Sequence, residues 1–220
     1  MVGTGDIRNC LSNNEKERVL IMKEFKVRPI KPDEIEKIAS FIATGYADDV
    51  FFKWCVNHDE NQHEIVTEYY KVYLSAKGCM AHVAEDLAGV IIGATVWLPH
   101  DVDASIYDDI NKVVEAHADN FGEVADKSHA NEPTGTPFYQ LVAVVTDKSL
   151  RGQGIGGELL KYQIDHLDKL GIPTYLEAST PYYGGGVYGK FGYKYFGVLM
   201  KFAEGIILYP LYRPAGGYAQ

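Results

Sequence analysis

Residues 151–157 read RGQGIGG, four glycines within six positions behind an arginine. An apolar run, LVAVV, precedes this stretch, and an amphipathic run, ELLKYQ, follows it. Glycine inside a strand or helix costs roughly 0.5–1 kcal/mol against alanine, so the concentration answers a local demand. A glycine turn ahead of a helix leaves backbone N–H groups bare, and the helix dipole adds partial positive charge. Together they hold phosphate. Arg151 adds a full charge at the mouth, and no acid enters the helix before Glu158. A second group with chemical use is Glu177, a carboxylate in the largely apolar run YLEAS. A tight turn for close helix–sheet packing is the simpler use of the glycines. It requires neither so many of them nor the arginine.

The elements that must position these groups follow from periodicity. Residues 25–30 read as a first strand, and Pro32 opens a helix with Asp33 and Glu34 in its first turn, where the dipole favours acids. Ile35, Ile38, Ala39 and Ile42 recur at helical spacing as far as Gly45. An aromatic-rich segment, YADDVFFKWCV, comes next, then a helical run over 60–76. Residues 79–84 and 89–98 pair as a hairpin. Residues 103–118 read as helix. Residues 120–137, polar with Gly and Pro, read as a loop or flexible lid. A strand over 138–145 leads into the glycine turn. The helix over 154–170 puts Leu159, Leu160, Ile164, Leu167 and Leu170 on one stripe. A strand over 174–178, a short helix within 181–190, and strands near 193–199 and 206–208 complete the chain. This order predicts an α/β (α+β) class with a mixed sheet flanked by helices. Residues 1–24 read as a flexible extension, with Met22 a second candidate start, and residues 25–220 as one domain.

Two phosphate-binding patterns compete for the turn. Gly152, Gly154 and Gly157 spell GxGxxG, the dinucleotide fingerprint. In that fold the first glycine follows its strand directly, whereas TDKSLR intervenes here. A Walker loop is excluded by the absence of GK[ST]. The better match is a strand ending in Val142-Ala143-Val144, a short loop to Leu150, then Arg151, Gly154 and Gly156 opening a helix, with YLEAS and VYGKFGYKYFG downstream. These ordered features over 138–197 resemble the GNAT superfamily of acetyl-CoA-dependent N-acetyltransferases. GYADDVFFKW and GATVWLP are loosely similar to its puromycin-acetyltransferase-like members, which act on small molecules.

The resemblance implies a splayed central sheet and a direct transfer of acetyl from acetyl-CoA to a primary amine, through a tetrahedral intermediate. It assigns the pyrophosphate to the N–H groups of Arg151, Gly152, Gln153, Gly154, Ile155 and Gly156. It assigns the pantetheine arm to the backbone of Val142 and Val144, with the Val144 N–H facing the oxyanion. It makes Tyr188 the acid for the departing thiolate, a role suited to a phenol that stays protonated at neutral pH, with Tyr183 as the fallback. Some members carry a glutamate on the strand before the LAV segment. Here that stretch is FYQL, without a carboxylate. Glu177 is then the candidate base, and relay through water is the alternative. Many relatives pair as dimers, so a homodimer is compatible.

Composition narrows the rest. At 220 residues, 46% hydrophobic and 23% charged, the chain can bury a proper core. A net charge of -9 argues against a nucleic-acid partner and leans towards an amine ligand. Cys10, Cys55 and Cys79 are odd in number and lack a CxxC, which points to a reducing cytoplasm. Apolar runs such as 88–98 are too short to span a membrane. The seven histidines show no HxxxH or HxH spacing, so no metal is expected. His100 is a candidate border of the acceptor pocket, though a lone loop histidine is more often simply exposed. Tyr46, Phe51, Phe52 and Trp54 suit core packing better than an acceptor site. Two rivals to the transferase are a non-catalytic acyl-CoA-binding module of the same fold and a dinucleotide-dependent oxidoreductase.

Overall fold

A computed structural model describes residues 24–179 and 186–217. The expected extension and the fallback Tyr183 lie outside these residues.

Eight strands form a mixed sheet in the order β1-β2-β3-β4-β5-β8-β6, with β7 pairing β8 off this path. The strands are β1 (Phe25–Pro29), β2 (Met80–Asp86), β3 (Ile91–Pro99), β4 (Tyr139–Thr146), β5 (Thr174–Ala178), β6 (Lys194–Tyr195), β7 (Met200–Lys201) and β8 (Ile207–Arg213). All pairs are antiparallel except β4 and β5. The helices are α1 (Ile35–Gly45), α2 (Val50–Cys55), α3 (Gln62–Ser75), α4 (Ser105–Val113), α5 (Ala118–Asn131), α6 (Ile155–Lys169) and α7 (Val187–Lys190).

The two faces of the sheet are covered differently. Helices α1 and α3 bury Ile38, Ile42, Val66 and Tyr70 against Val83, Val96 and Ala143. Helix α6 covers the other face, with Leu160, Ile164 and Leu167 against Trp97, Leu141 and Leu176. Its expected stripe is buried except for Leu170, which caps the helix and is 55% exposed. Gly93 on β3 lets α6 lie close: a Cβ there would stand 2.9 Å from both Ile155 and Leu159. Tyr46, Phe51, Phe52 and Trp54 form a continuous aromatic network with Tyr70 and Phe202, as core packing demands.

Two expectations are corrected. The segment read as a loop or lid over 120–137 is mostly helix α5. Its composition hides it, since Phe121 is its single buried residue, and polar contacts to its surroundings hold it instead. Of the strand expected near 193–199 only β6 forms, since Gly197 takes a left-handed φ of 66° after it, and the next strand, β7, starts at Met200.

The last strand is locked by a buried ion pair. Arg213 is fully buried, and its guanidinium donates to both Asp168 oxygens at 2.6 Å. It also donates to the Phe191 carbonyl at 2.6 Å. This ties β8 to the end of α6.

Candidate active site

The site begins where β4 leaves β5. The two strands pair only over Tyr139–Leu141 and Thr174–Leu176. Beyond that point Val142 to Thr146 has no partner on β5, and the sheet is splayed. A bulge starts the separation. Against β3, Val96 pairs with Ala143 and Trp97 with Leu141, so Val142 is the extra residue. A bulge bends its strand and raises the local twist. The Val142 carbonyl turns to α3 and accepts from the Tyr70 hydroxyl at 3.3 Å.

The strand then runs into the glycine turn. Asp147 accepts from the Ser149 N–H at 2.8 Å and its hydroxyl at 2.6 Å, which shapes the first bend. Lys148 pairs with Asp48 beside it. Gly152 has φ 80° and Gly154 has φ 83°, both in the left-handed region that favours glycine. Gly154 is the N-cap of α6 and offers no side chain to cap it. Its carbonyl accepts from the Glu158 N–H at 3.0 Å. Among the described residues no backbone carbonyl outside the helix accepts from the N–H groups of residues 151–157. A Cβ added at Gly152, Gly154 or Gly157 would meet nothing within 4 Å. Gln153 Oε1 is buried without a hydrogen-bond partner, and Arg151 is exposed and forms no ion pair among the described residues. A row of N–H groups beside an exposed guanidinium, at a helix N-terminus, fits a phosphate-bearing ligand.

Strand alternation sends the two expected catalytic residues to opposite faces of β5. Leu176 and Ala178 pack in the same cluster as Tyr188, beside α6. Tyr188 stands on α7, buried, with the Tyr193 ring 5.8 Å away in an edge-on contact. Val144 on the parted strand packs against the same cluster. Glu177 points to the other side. Ser128 Oγ on α5 donates to its Oε2 at 2.8 Å, and Tyr175 Oη donates to its Oε1 at 3.0 Å. Burial pushes the carboxyl up to about 7, against the two hydroxyls that favour its charge; Glu132 adds to the rise. Glu177 as a whole residue is half-buried. Tyr69 and Tyr73 on α3, joined through their hydroxyls at 2.8 Å, feel the charge of Glu177.

A cleft of about 310 Å³ opens just past the end of β5. It is lined by Val50 and Lys53 from α2, by Ser179, and by Glu204, Ile206 and Tyr209 before and on β8. His58 reaches Glu204 at 3.2 Å across it. His100 is elsewhere: it is exposed, its N–H bonds the Phe138 carbonyl at 2.9 Å, and it sits at the end where β4 and β5 are still joined. Cys79 precedes β2, and burial pushes its thiol up to about 12, which leaves it unreactive. Among the described residues no group of three His, Cys, Asp or Glu side chains converges as for a metal, and no helix is long and apolar enough to cross a membrane.

The sequence pattern missed Ser128, Tyr69 and Tyr73. Ser128 lies 49 positions from Glu177, and nothing local marks it. The two tyrosines are spaced i, i+4 on a helix, which places their hydroxyls together, but the same spacing serves any packed face.

Comparison with known proteins agrees with this geometry. The acetyltransferase (GNAT) family profile matches residues 46–193. No protein of curated function matches the chain. Among solved structures, a histone acetyltransferase and related acetyltransferase from Corynebacterium glutamicum superposes with a TM-score of 0.64 at 20% identity, over 89% of this chain and 97% of that one. Arylalkylamine N-acetyltransferase 2 from Aedes aegypti gives 0.60 at 11% identity, over 87% and 99%. The ribosomal-protein-S18-alanine N-acetyltransferase from Escherichia coli gives 0.53 at 11% identity, over 90% and 97%. At such identities the structures speak for the fold, while the profile spans two thirds of the chain. With its strand parted by a bulge ahead of an N–H-rich turn, this chain belongs to the GNAT acetyltransferase family.

Proposed function

We propose that the protein is an acetyl-CoA-dependent N-acetyltransferase acting on a primary amine, with a small molecule as the acceptor. The observation that carries this is the parting of β4 from β5 between a turn of N–H groups and the Glu177 carboxyl. A structural relative solved with CoA and a peptide supports the choice of cosubstrate.

Acetyl-CoA supplies an acetyl group activated as a thioester. The N–H groups of Arg151 to Gly156 hold its pyrophosphate, with the Arg151 guanidinium as counter-charge. Val142 and Val144 offer backbone groups on the parted strand to the pantetheine amides, in the manner of strand addition. The Val144 N–H stabilises the oxyanion. The acceptor enters from the cleft beside Lys53 and Ser179 and brings its nitrogen to Glu177. A carboxyl that titrates near 7 is half ionised at neutral pH, and general-base efficiency peaks when the base is matched to the working pH. Glu177 takes the proton from the amine. Tyr188 holds a proton at its hydroxyl for the departing sulfur.

The test is thermal melting with acetyl-CoA, and NADH as the control. At about 100 times the dissociation constant, ligand binding adds roughly 2.7 kcal/mol, a rise of roughly 5–10 °C at this size. Thiol release over a panel of primary amines then reads turnover. Tyr188→Phe is expected to keep the rise and lose turnover. A rise with NADH alone would overturn the transferase reading, and full turnover in Tyr188→Phe would remove that residue from the chemistry.

A further inference from the structure

Helix α5 stands outside the family's glycine turn and parted strands, yet it reaches Glu177. It is pinned at three other places. Asn120 Nδ2 donates to the Trp54 carbonyl at 2.8 Å near its start. Lys127 Nζ donates to the Lys201 carbonyl at 2.5 Å and lies 4.6 Å from the centre of the Phe202 ring. Asn131 Oδ1 accepts from the Val198 N–H at 2.8 Å at its end. These contacts, flanking Ser128 on one helix, fix where its hydroxyl lies. The hydroxyl donates to one Glu177 oxygen, and Tyr175 donates to the other.

Two donors from two elements determine the carboxylate plane. With one donor the group can still turn about its last bond, which has a broad rotational well. With both, it stops. The titratable groups that face Glu177 are Tyr69 and Tyr73 from α3, Glu132 just past the end of α5 and Tyr175 from its own strand. Phenols stay neutral here, and Glu132 opposes a second negative charge. The Ser128 hydroxyl is therefore one of just two contacts among the described residues that favour the ionised form.

We propose that Ser128 is a positioning residue, which from α5 orients the Glu177 carboxylate and sustains its charge so that it can accept a proton from the acceptor amine. This role rests on Glu177 being the base. The helix that a polar sequence disguised thereby becomes the support of the proton acceptor.

The test is direct titration of Glu177 in the full chain by carbon-13 NMR, with glutamate labelled at Cδ. The Glu177 signal is the one absent in Glu177→Gln. Ser128→Ala should move its midpoint upward by roughly 1 pH unit, since a bond to a charged acceptor is lost and water recovers part of it. Ser128→Thr, which keeps the hydroxyl, should restore it. Ser128→Cys, a weaker donor of similar size, should fall between and covers the case in which alanine disturbs the helix. The acid limb of kcat/KM for thiol release should move with the midpoint. An unmoved midpoint in Ser128→Ala and Ser128→Cys, while Glu177→Gln is inactive, would overturn the role of Ser128 alone. Normal turnover by Glu177→Gln would overturn the base reading, and the positioning role with it.

Discussion

Glu177→Gln should make the protein more stable at alkaline pH, and the gain should grow with pH. The ordinary carboxyl value is 4.5 and the folded value about 7. Between these values the native state keeps a proton that the unfolded chain has released. Stability therefore declines as pH rises through this window and levels off above 7. At roughly 1.36 kcal/mol per unit, the ionised native state carries a penalty of about 3 kcal/mol. Glutamine never ionises and escapes it. The amide, however, must turn its NH2 towards one of the Ser128 and Tyr175 hydroxyls, which costs about 1 kcal/mol. The net gain is about 2 kcal/mol at pH 8, a rise in Tm of roughly 4–8 °C. Near pH 4.5 the variant should be about 1 kcal/mol less stable than the parent. Melting curves for both proteins, at constant ionic strength from pH 4.5 to 8, read the difference directly. A difference in Tm that stays level across that range would refute the burial argument. The expected trade is the familiar one at functional sites, where a group kept for chemistry weakens the fold.

Two other substitutions probe the frame of the site. Asp168→Asn leaves the Arg213 charge buried without its two-pronged partner, which should cost about 3–5 kcal/mol; urea denaturation measures this, and a loss below 1 kcal/mol would show that the pair is dispensable. Gly154→Ala puts a side chain into open space but at φ 83°, so strain rather than collision should cost about 1–2 kcal/mol. The melting rise with acetyl-CoA should shrink by more than half in that variant, while Gly157→Ala, free of left-handed strain, should lose no stability; equal effects would mean that the turn's conformation is unimportant.

Where the sequence was readable, the reason was local. The stripe of Leu159, Leu160, Ile164 and Leu167 is a property of one helix, and it is buried as its spacing implies. The glycines at 152 and 154 announce a backbone that other residues resist, and both have positive φ. Glu177 drew notice as an acid among apolar neighbours, and it is held by two hydroxyls. What stayed hidden depends on partners far along the chain. Asp168 and Arg213 lie 45 positions apart, and neither is unusual in its own segment. Helix α5 has almost no apolar face, so its pattern resembles a loop; tertiary hydrogen bonds from Asn120, Lys127, Ser128 and Asn131 replace the missing burial. Leu170 satisfied the stripe and yet is exposed, because the helix ends before its turn is covered.

The extra residue at Val142 also acts as a change of phase along β4. Leu141 faces α6, while Ala143 faces α1 and α3, although residues two apart on a regular strand share one side. Val144 returns to the α6 side and Val145 to the other. The strand upstream and the strand downstream are thus out of step by one, and each is correct for the helices that cover it. Removing Val142 would leave Leu141, Ala143, Val144 and Val145 in simple alternation on the faces they already occupy, and would take out the bend instead of inverting the strand. Length at this point is consequently under tighter constraint than identity. A chain could exchange one apolar residue for another here at modest cost, but losing the residue would straighten the strand at the point where it leaves β5.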